Sequence, residues 1–117
     1  MNTLQKLLQL FPQKRWNWFQ ISQNPNITWE YVQANPNLPW NWDGLSINPN
    51  ITWEIVQTNP DKHWNWHNLS LHPNITWFIV LTNPHFRWTY HLPSNPNITW
   101  ENLQNFSKID WSEDIYW

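Results

Sequence analysis

Apolar and polar positions fall into short blocks along this chain, and the blocks return every 24 residues, with one interval shortened to 23. In one block Thr52 stands at a helix N-cap position, with Ile51 before it and Val56 four residues after. A capping hydroxyl flanked by apolar residues at those offsets is the signature of a hydrophobic staple. The companion block places Trp42 and Leu45 on one helical face and Trp40 on another, as in a helix packed on two sides. Between the blocks stand Asn24-Pro25, Asn35-Pro36, Asn48-Pro49, Asn59-Pro60, His72-Pro73, Asn83-Pro84 and Asn95-Pro96. A residue before proline is pushed out of the α region, so each dipeptide ends one element. The Pro and the residue after it suit the opening of the next. Each unit thus divides into two helices of about two turns, in pieces of roughly 11 and 13 residues.

Tryptophan carries the same beat. One column is Trp16, Trp40, Trp64, Trp88 and Trp111; a second is Trp18, Trp42, Trp66 and Tyr90; a third is Trp29, Trp53, Trp77 and Trp100. A fixed period of this length signals one supersecondary unit stacked side by side. We expect an all-α fold, a right-handed solenoid of short helical hairpins with about five 24-residue repeats. The single repeat domain, 1–117, divides into a cap helix at 1–15, units at 16–39, 40–63, 64–87 and 88–110, and a half unit at 111–117. The alternative is a strand-containing, leucine-rich-repeat-like solenoid, because Ile51 to Ile55 alternates and is rich in β-formers. That pattern wants a second buried aliphatic two residues after Leu45, and the equivalent positions Gln23, Ile47, Leu71 and Ser94 read as exposed. Helices so short melt in isolation, so stacking has to bury their apolar residues, with the Trp columns as core packing. At the start, Leu4, Leu7, Leu8 and Phe11 share a face opposite Gln5, Lys6 and Gln9.

Thirteen Trp accompany one Gly and no Cys, and the net charge is −2. Absence of Cys removes disulfides, zinc–thiolate sites and thiol nucleophiles. Without a Lys/Arg run, duplex nucleic acid is not an expected partner. Neither a signal peptide nor a membrane span is legible, and an intracellular location is expected.

Five His lie between positions 63 and 91. His63 and His67 are four apart, a metal-compatible helical spacing, and Asp43, His67 and His91 occupy one repeat position. Neighbouring helices 8–10 Å apart would stretch a bridging metal, and drift at exposed positions is the simpler account, so no metal or other cofactor is expected. Glu30, Glu54 and Glu101 form a column broken by Phe78, which reads as helix N-terminal charge rather than acid–base chemistry. The four Asn-x-Thr sequences at Asn26, Asn50, Asn74 and Asn97 read as turn and capping chemistry. No nucleophile elbow or phosphate loop is present, so no catalytic residue is assigned. The column Trp18, Trp42, Trp66, Tyr90, which yields to Glu113 in the last unit, tolerates polarity; with Trp117 it is the candidate interaction surface.

The string Asn48 to Pro60, NPNITWEIVQTNP, followed by WNW at Trp64 to Trp66, resembles Trp-rich repeats of hypothetical proteins of giant amoeba-infecting viruses. It covers about Trp16 to Trp100, with His72 and the shortened fourth unit as departures. The resemblance implies an architecture and a source, hence the host cytoplasm or the virion, and no reaction. The expected function is a non-enzymatic scaffold for protein–protein interaction. Self-assembly end to end is one form of it, since Lys6, Lys14 and Arg15 lie near one end and Asp110, Glu113 and Asp114 near the other. The alternative is a carbohydrate-binding module that meets a glycan with exposed Trp.

Overall fold

The computed structural model describes residues 1–104, an all-helical chain extended over 51 × 26 × 21 Å. Eight short α-helices occur among the described residues: α1 Thr3–Leu10, α2 Trp18–Gln23, α3 Trp29–Ala34, α4 Trp42–Leu45, α5 Trp53–Thr58, α6 Trp66–Leu71, α7 Trp77–Thr82 and α8 Trp100–Gln104. A 3-10 helix, Leu92–Ser94, takes the place of a ninth. No strand occurs among the described residues, so the strand-containing alternative has no counterpart in them. None of these helices is long and apolar enough to cross a membrane.

Local chemistry explains the short helices. Thr28, Thr52 and Thr76 cap α3, α5 and α7, each hydroxyl accepting the backbone N–H three residues on. Ile51 and Val56 are both buried, as the staple requires. The alternate helices open one residue after an asparagine: Asn17, Asn41 and Asn65 accept from Gln20, Gly44 and Asn68. The middle residue of each Trp-Asn-Trp triplet is therefore an N-cap, a role not read from the sequence. Trp40 consequently precedes α4 instead of lying within it, which corrects the two-faced helix expected there. In the fourth unit Thr89 replaces the asparagine, Pro93 follows, and the helix contracts to a 3-10 turn with no side-chain cap.

Most of the Asn-Pro pairs end helices as expected. Asn24, Asn35, Asn59, His72 and Asn83 are C-caps of α2, α3, α5, α6 and α7. The Pro and its successor, however, occupy a separate turn, and the next helix opens only after the Thr or Asn cap.

The core is aliphatic. Ile27, Ile51 and Ile75 form one buried column, Val32, Val56 and Val80 a second, and Leu45, Leu69 and Leu92 a third. Of the Trp among the described residues, only Trp64 and Trp88 are buried; Trp16, Trp18, Trp29, Trp40, Trp42, Trp53, Trp66 and Trp77 are half-buried walls on that core, and Trp100 is exposed. The β-branched and Leu side chains fill the narrow interior because they are small enough to repeat in register. The four positions read as exposed divide: Gln23, Ile47 and Leu71 are half-buried and Ser94 is exposed.

Two features of the N-terminal region differ from expectation. Leu8 is buried and Leu4 half-buried, but Leu7 and Phe11 are exposed, and the third buried position is Gln5. Farther on, α4 lies against α2 so closely that a Cβ at Gly44 would stand 2.6 Å from the Phe19 carbonyl oxygen and 2.9 Å from Ser22 Cβ. The single glycine serves that approach and not a positive φ, since none occurs.

Candidate functional site

Three structures line the repeated units: two recur from unit to unit and are built on asparagine and serine, and the third is an outer column of acid and imidazole side chains. The first fixes the indoles. Asn35, Asn59 and Asn83 cap the ends of α3, α5 and α7, and their carbonyls accept the Nε1–H of Trp40, Trp64 and Trp88 at 2.9, 2.8 and 2.8 Å. Each amide also donates back to the helix, to Tyr31, Ile55 and Ile79. A five-residue loop thereby holds its indole in one orientation. Those indoles meet the second Trp column edge-on: Trp18–Trp40, Trp42–Trp64 and Trp66–Trp88 have centroids 5.5, 5.0 and 5.4 Å apart at 88°, 88° and 85°. T-shaped pairs of this kind add to area burial.

The loops and indoles line hollows along one flank. One, of about 400 Å³, is lined by residues that include Trp29, Pro36, Leu38, Trp40, Trp42 and Lys62. Another, of about 580 Å³, includes Pro60, Lys62, Trp64, Trp66, Phe86 and Arg87. Pro36, Leu38, Trp40 and Trp42 in the first correspond to Pro60, Lys62, Trp64 and Trp66 in the second, 24 residues on, so the two are successive copies of one cleft. Lys62 borders both.

The second structure is a buried polar ladder. Asn48 Nδ2 donates to the carbonyls of Ser22, Asn24 and Ile27 at 2.8, 3.0 and 3.2 Å. Asn95 repeats this toward Ser70, His72 and Ile75 at 2.9, 3.0 and 3.2 Å. Asn50, Asn74 and Asn97 add bonds to carbonyls of the preceding unit, among them Ile27, Ile51 and Ile75. Ser22, Ser46 and Ser70 accept the backbone N–H of Asn41, Asn65 and Thr89 at 2.9, 2.8 and 3.1 Å. Gln5 and Asn2 both donate to Asn26 O, which makes them the first rung. No buried side-chain nitrogen or oxygen among the described residues lacks a partner. The Asn-x-Thr sequences at Asn50, Asn74 and Asn97 are thus rung and cap together: the amide nitrogen reaches back one unit and the threonine opens the next helix.

The third structure is the outer column of Asp43, His67 and His91. Asp43 Oδ1 accepts from Asn65 Nδ2 at 2.8 Å. His67 Nδ1 and His91 Nδ1 lie 2.9 Å apart, their rings at 4.4 Å and 66°. Burial, with the neighbouring His67 charge second, holds His91 below the usual imidazole pKa. The structure corrects the sequence reading here. His63 lies in the loop before α6 and shares no helical face with His67, because Asn65 starts the helix later. The imidazoles of neighbouring units, which the interhelical spacing was expected to hold apart, are in direct contact.

Of the candidate interaction surface, Trp18, Trp42 and Trp66 are half-buried, Tyr90 is 42% exposed, and Trp42 and Trp66 reach the clefts. Trp111 and Trp117 lie outside the described residues. No protein-family model, curated protein or solved structure matches the chain.

Proposed function

We propose that the chain is a non-enzymatic right-handed α-solenoid of about five repeats that binds an extended segment of a protein partner along its flank. The observation that supports this reading is the recurrence of one aromatic, proline-bordered cleft in successive units, with Lys62 shared between them. Repeated hollows at a fixed interval suit a polymer with side chains at a fixed interval. The rim carries Lys62, His63, His85 and Arg87 against Asp61, which favours an acidic, aromatic peptide. Trp42 and Trp66 are half-buried and packed edge-on against Trp64 and Trp88, which favours a peptide over a stacked sugar.

A library of linear peptides and an array of glycans, each probed with the intact chain, test this. Acidic aromatic ligands are expected, and Lys62→Glu, on the surface, weakens them on the order of tenfold. Selection of glycans and no peptide would instead establish the carbohydrate-binding reading. By composition the chain's own Asp110, Trp111, Glu113 and Asp114 satisfy the same chemistry, which is the support for self-association. Light scattering across a wide concentration range, with Lys62→Glu lowering any mass increase, tests that form.

A further inference from the structure

We propose that His67 and His91 form a two-imidazole site for a divalent transition metal, Cu(II) in preference to Zn(II), which clasps the third unit to the fourth. The inference stands apart from the peptide-binding reading.

Two Nδ1 atoms 2.9 Å apart cannot both keep a proton, nor both present a lone pair to the other. In the neutral pair one Nδ1–H donates to the other nitrogen. A cation in place of that shared proton would be held by both lone pairs. With metal–nitrogen bonds of about 2.0–2.1 Å, two cis ligands at a right angle lie roughly 2.9 Å apart, whereas tetrahedral ligands lie about 3.3–3.4 Å apart. The hydrogen-bonded separation brings both nitrogens within reach of one ion, and Cu(II) heads the affinity order for nitrogen ligands.

The surroundings hold the rings ready. His67 is the second residue of α6 and His91 the N-cap of the 3-10 helix, so each is fixed to a structured backbone. The Tyr90 ring stacks on His91 at 4.6 Å and lies 6.1 Å from His67. Thr89 Oγ1 lies 3.2 Å from His91 Nδ1. Asp43 sits at the equivalent position one unit earlier and brings a negative charge to the same surface column. His67 is exposed and His91 half-exposed, which leaves the remaining coordination positions to water.

Titration of the full chain with Cu(II) chloride in a non-coordinating buffer near neutral pH, read by calorimetry and electron paramagnetic resonance, tests the site. Hyperfine structure from two directly bound imidazole nitrogens is expected. His67→Ala and His91→Ala each weaken binding by on the order of tenfold or more, while His63→Ala and His85→Ala leave it unchanged. Circular dichroism establishes that the variants are folded. Because the ligands are 24 residues apart, Cu(II) also raises the melting temperature of the parent chain and of neither ligand variant. Wild-type affinity in either ligand variant, a single bound nitrogen, or loss that follows His63 or His85 would overturn the proposal.

Discussion

Two of the columns that carry histidine in this molecule put it to different uses. In the inner column, Asn24, Asn48, His72 and Asn95 occupy one repeat position. Their Oδ1 atoms, or the Nδ1 of His72, accept the backbone N–H two residues on, at 2.8, 2.8, 3.0 and 2.8 Å. His72 Nε2 donates to Asn48 O at 2.8 Å, as an asparagine amide would, but reaches one carbonyl where Asn48 and Asn95 each reach three. Imidazole thus imitates a carboxamide, with a proton fixed on Nε2. In the outer column His67 and His91 contact each other, Thr89 and Tyr90. The difference is one of solvent. A buried polar group must be satisfied by the chain itself, so its partners are numerous and fixed; a surface pair keeps a free choice of proton, water or cation.

The inner column breaks most severely at Asn48. Replacing it with alanine removes three bonds to buried carbonyls and the acceptor for Asn50 N–H. Stranded buried acceptors cost about 1–3 kcal/mol each. Relaxation and remaining partners reduce the sum, since Ile27 O keeps the bond from Asn50, so Asn48→Ala is expected to lose about 3–4 kcal/mol in urea unfolding. A loss below about 1 kcal/mol would mean that water replaces the ladder and that the aliphatic columns alone join the units.

Gly44→Ala attacks the same side from a different direction. A methyl group 2.6 Å from Phe19 O and 2.9 Å from Ser22 Cβ forces α4 away from α2 and disturbs the Ser22 rung. Overpacking of this kind costs about 1–3 kcal/mol. The helix propensity gained by alanine has the opposite sign and is smaller, about 1 kcal/mol. A lowered melting temperature is expected; an unchanged one would show that the two helices separate freely.

How much of this was legible depended on distance along the chain. Thr52, Ile51 and Val56 could be read because cap and staple involve residues no more than five apart. Gln5 could not: its side chain was assigned to the polar face of α1, and only the carbonyl of Asn26, 21 residues away, explains its burial. The ladder escaped for the same reason, since Asn-Pro was read as a helix terminator alone, and the asparagine amide does its work in the preceding unit. The middle Asn of Trp-Asn-Trp is a local signal that was available and overlooked. Overlooking it misplaced the start of α6 and with it the pairing of His63 and His67. The Trp columns were correctly seen as periodic, but periodicity does not distinguish core from wall; the aliphatic columns took the interior.

The titration of His72 sharpens the comparison further. Burial lowers its pKa below the usual imidazole value, with the bond to Asn48 O opposing in part. Above the unfolded value of about 6.5 neither state binds the proton, and the full contribution to stability is present. As pH falls through that value the unfolded chain takes up a proton that the native chain refuses, and stability declines until the lower native pKa is reached. Protonation at Nδ1 would also remove the acceptor for Asn74 N–H. Urea midpoints should therefore fall on acidification below pH 6.5, and His72→Asn should flatten that slope while leaving stability at alkaline pH equal or greater. An unchanged slope in that variant would move the acid sensitivity to another histidine.

The smallest expected effect is the one that isolates the outer column. His91 is held below the usual imidazole pKa first by burial and second by the charge of His67. His67→Ala removes the second cause and keeps the first, so the His91 pKa, followed by its ring proton shifts, should rise part of the way toward the ordinary value and stop short of it. Stability should scarcely change, because the lost contact lies at the surface and water replaces it. The same substitution leaves His72 untouched, since its partners are the backbone of Asn48 and Asn74. If the His91 pKa did not move, the 2.9 Å contact would not persist in solution. If His72 moved as well, the inner and outer columns would be coupled through α6, and the contrast between a column fixed by its own backbone and one left to the solvent would fail at the one helix that carries both.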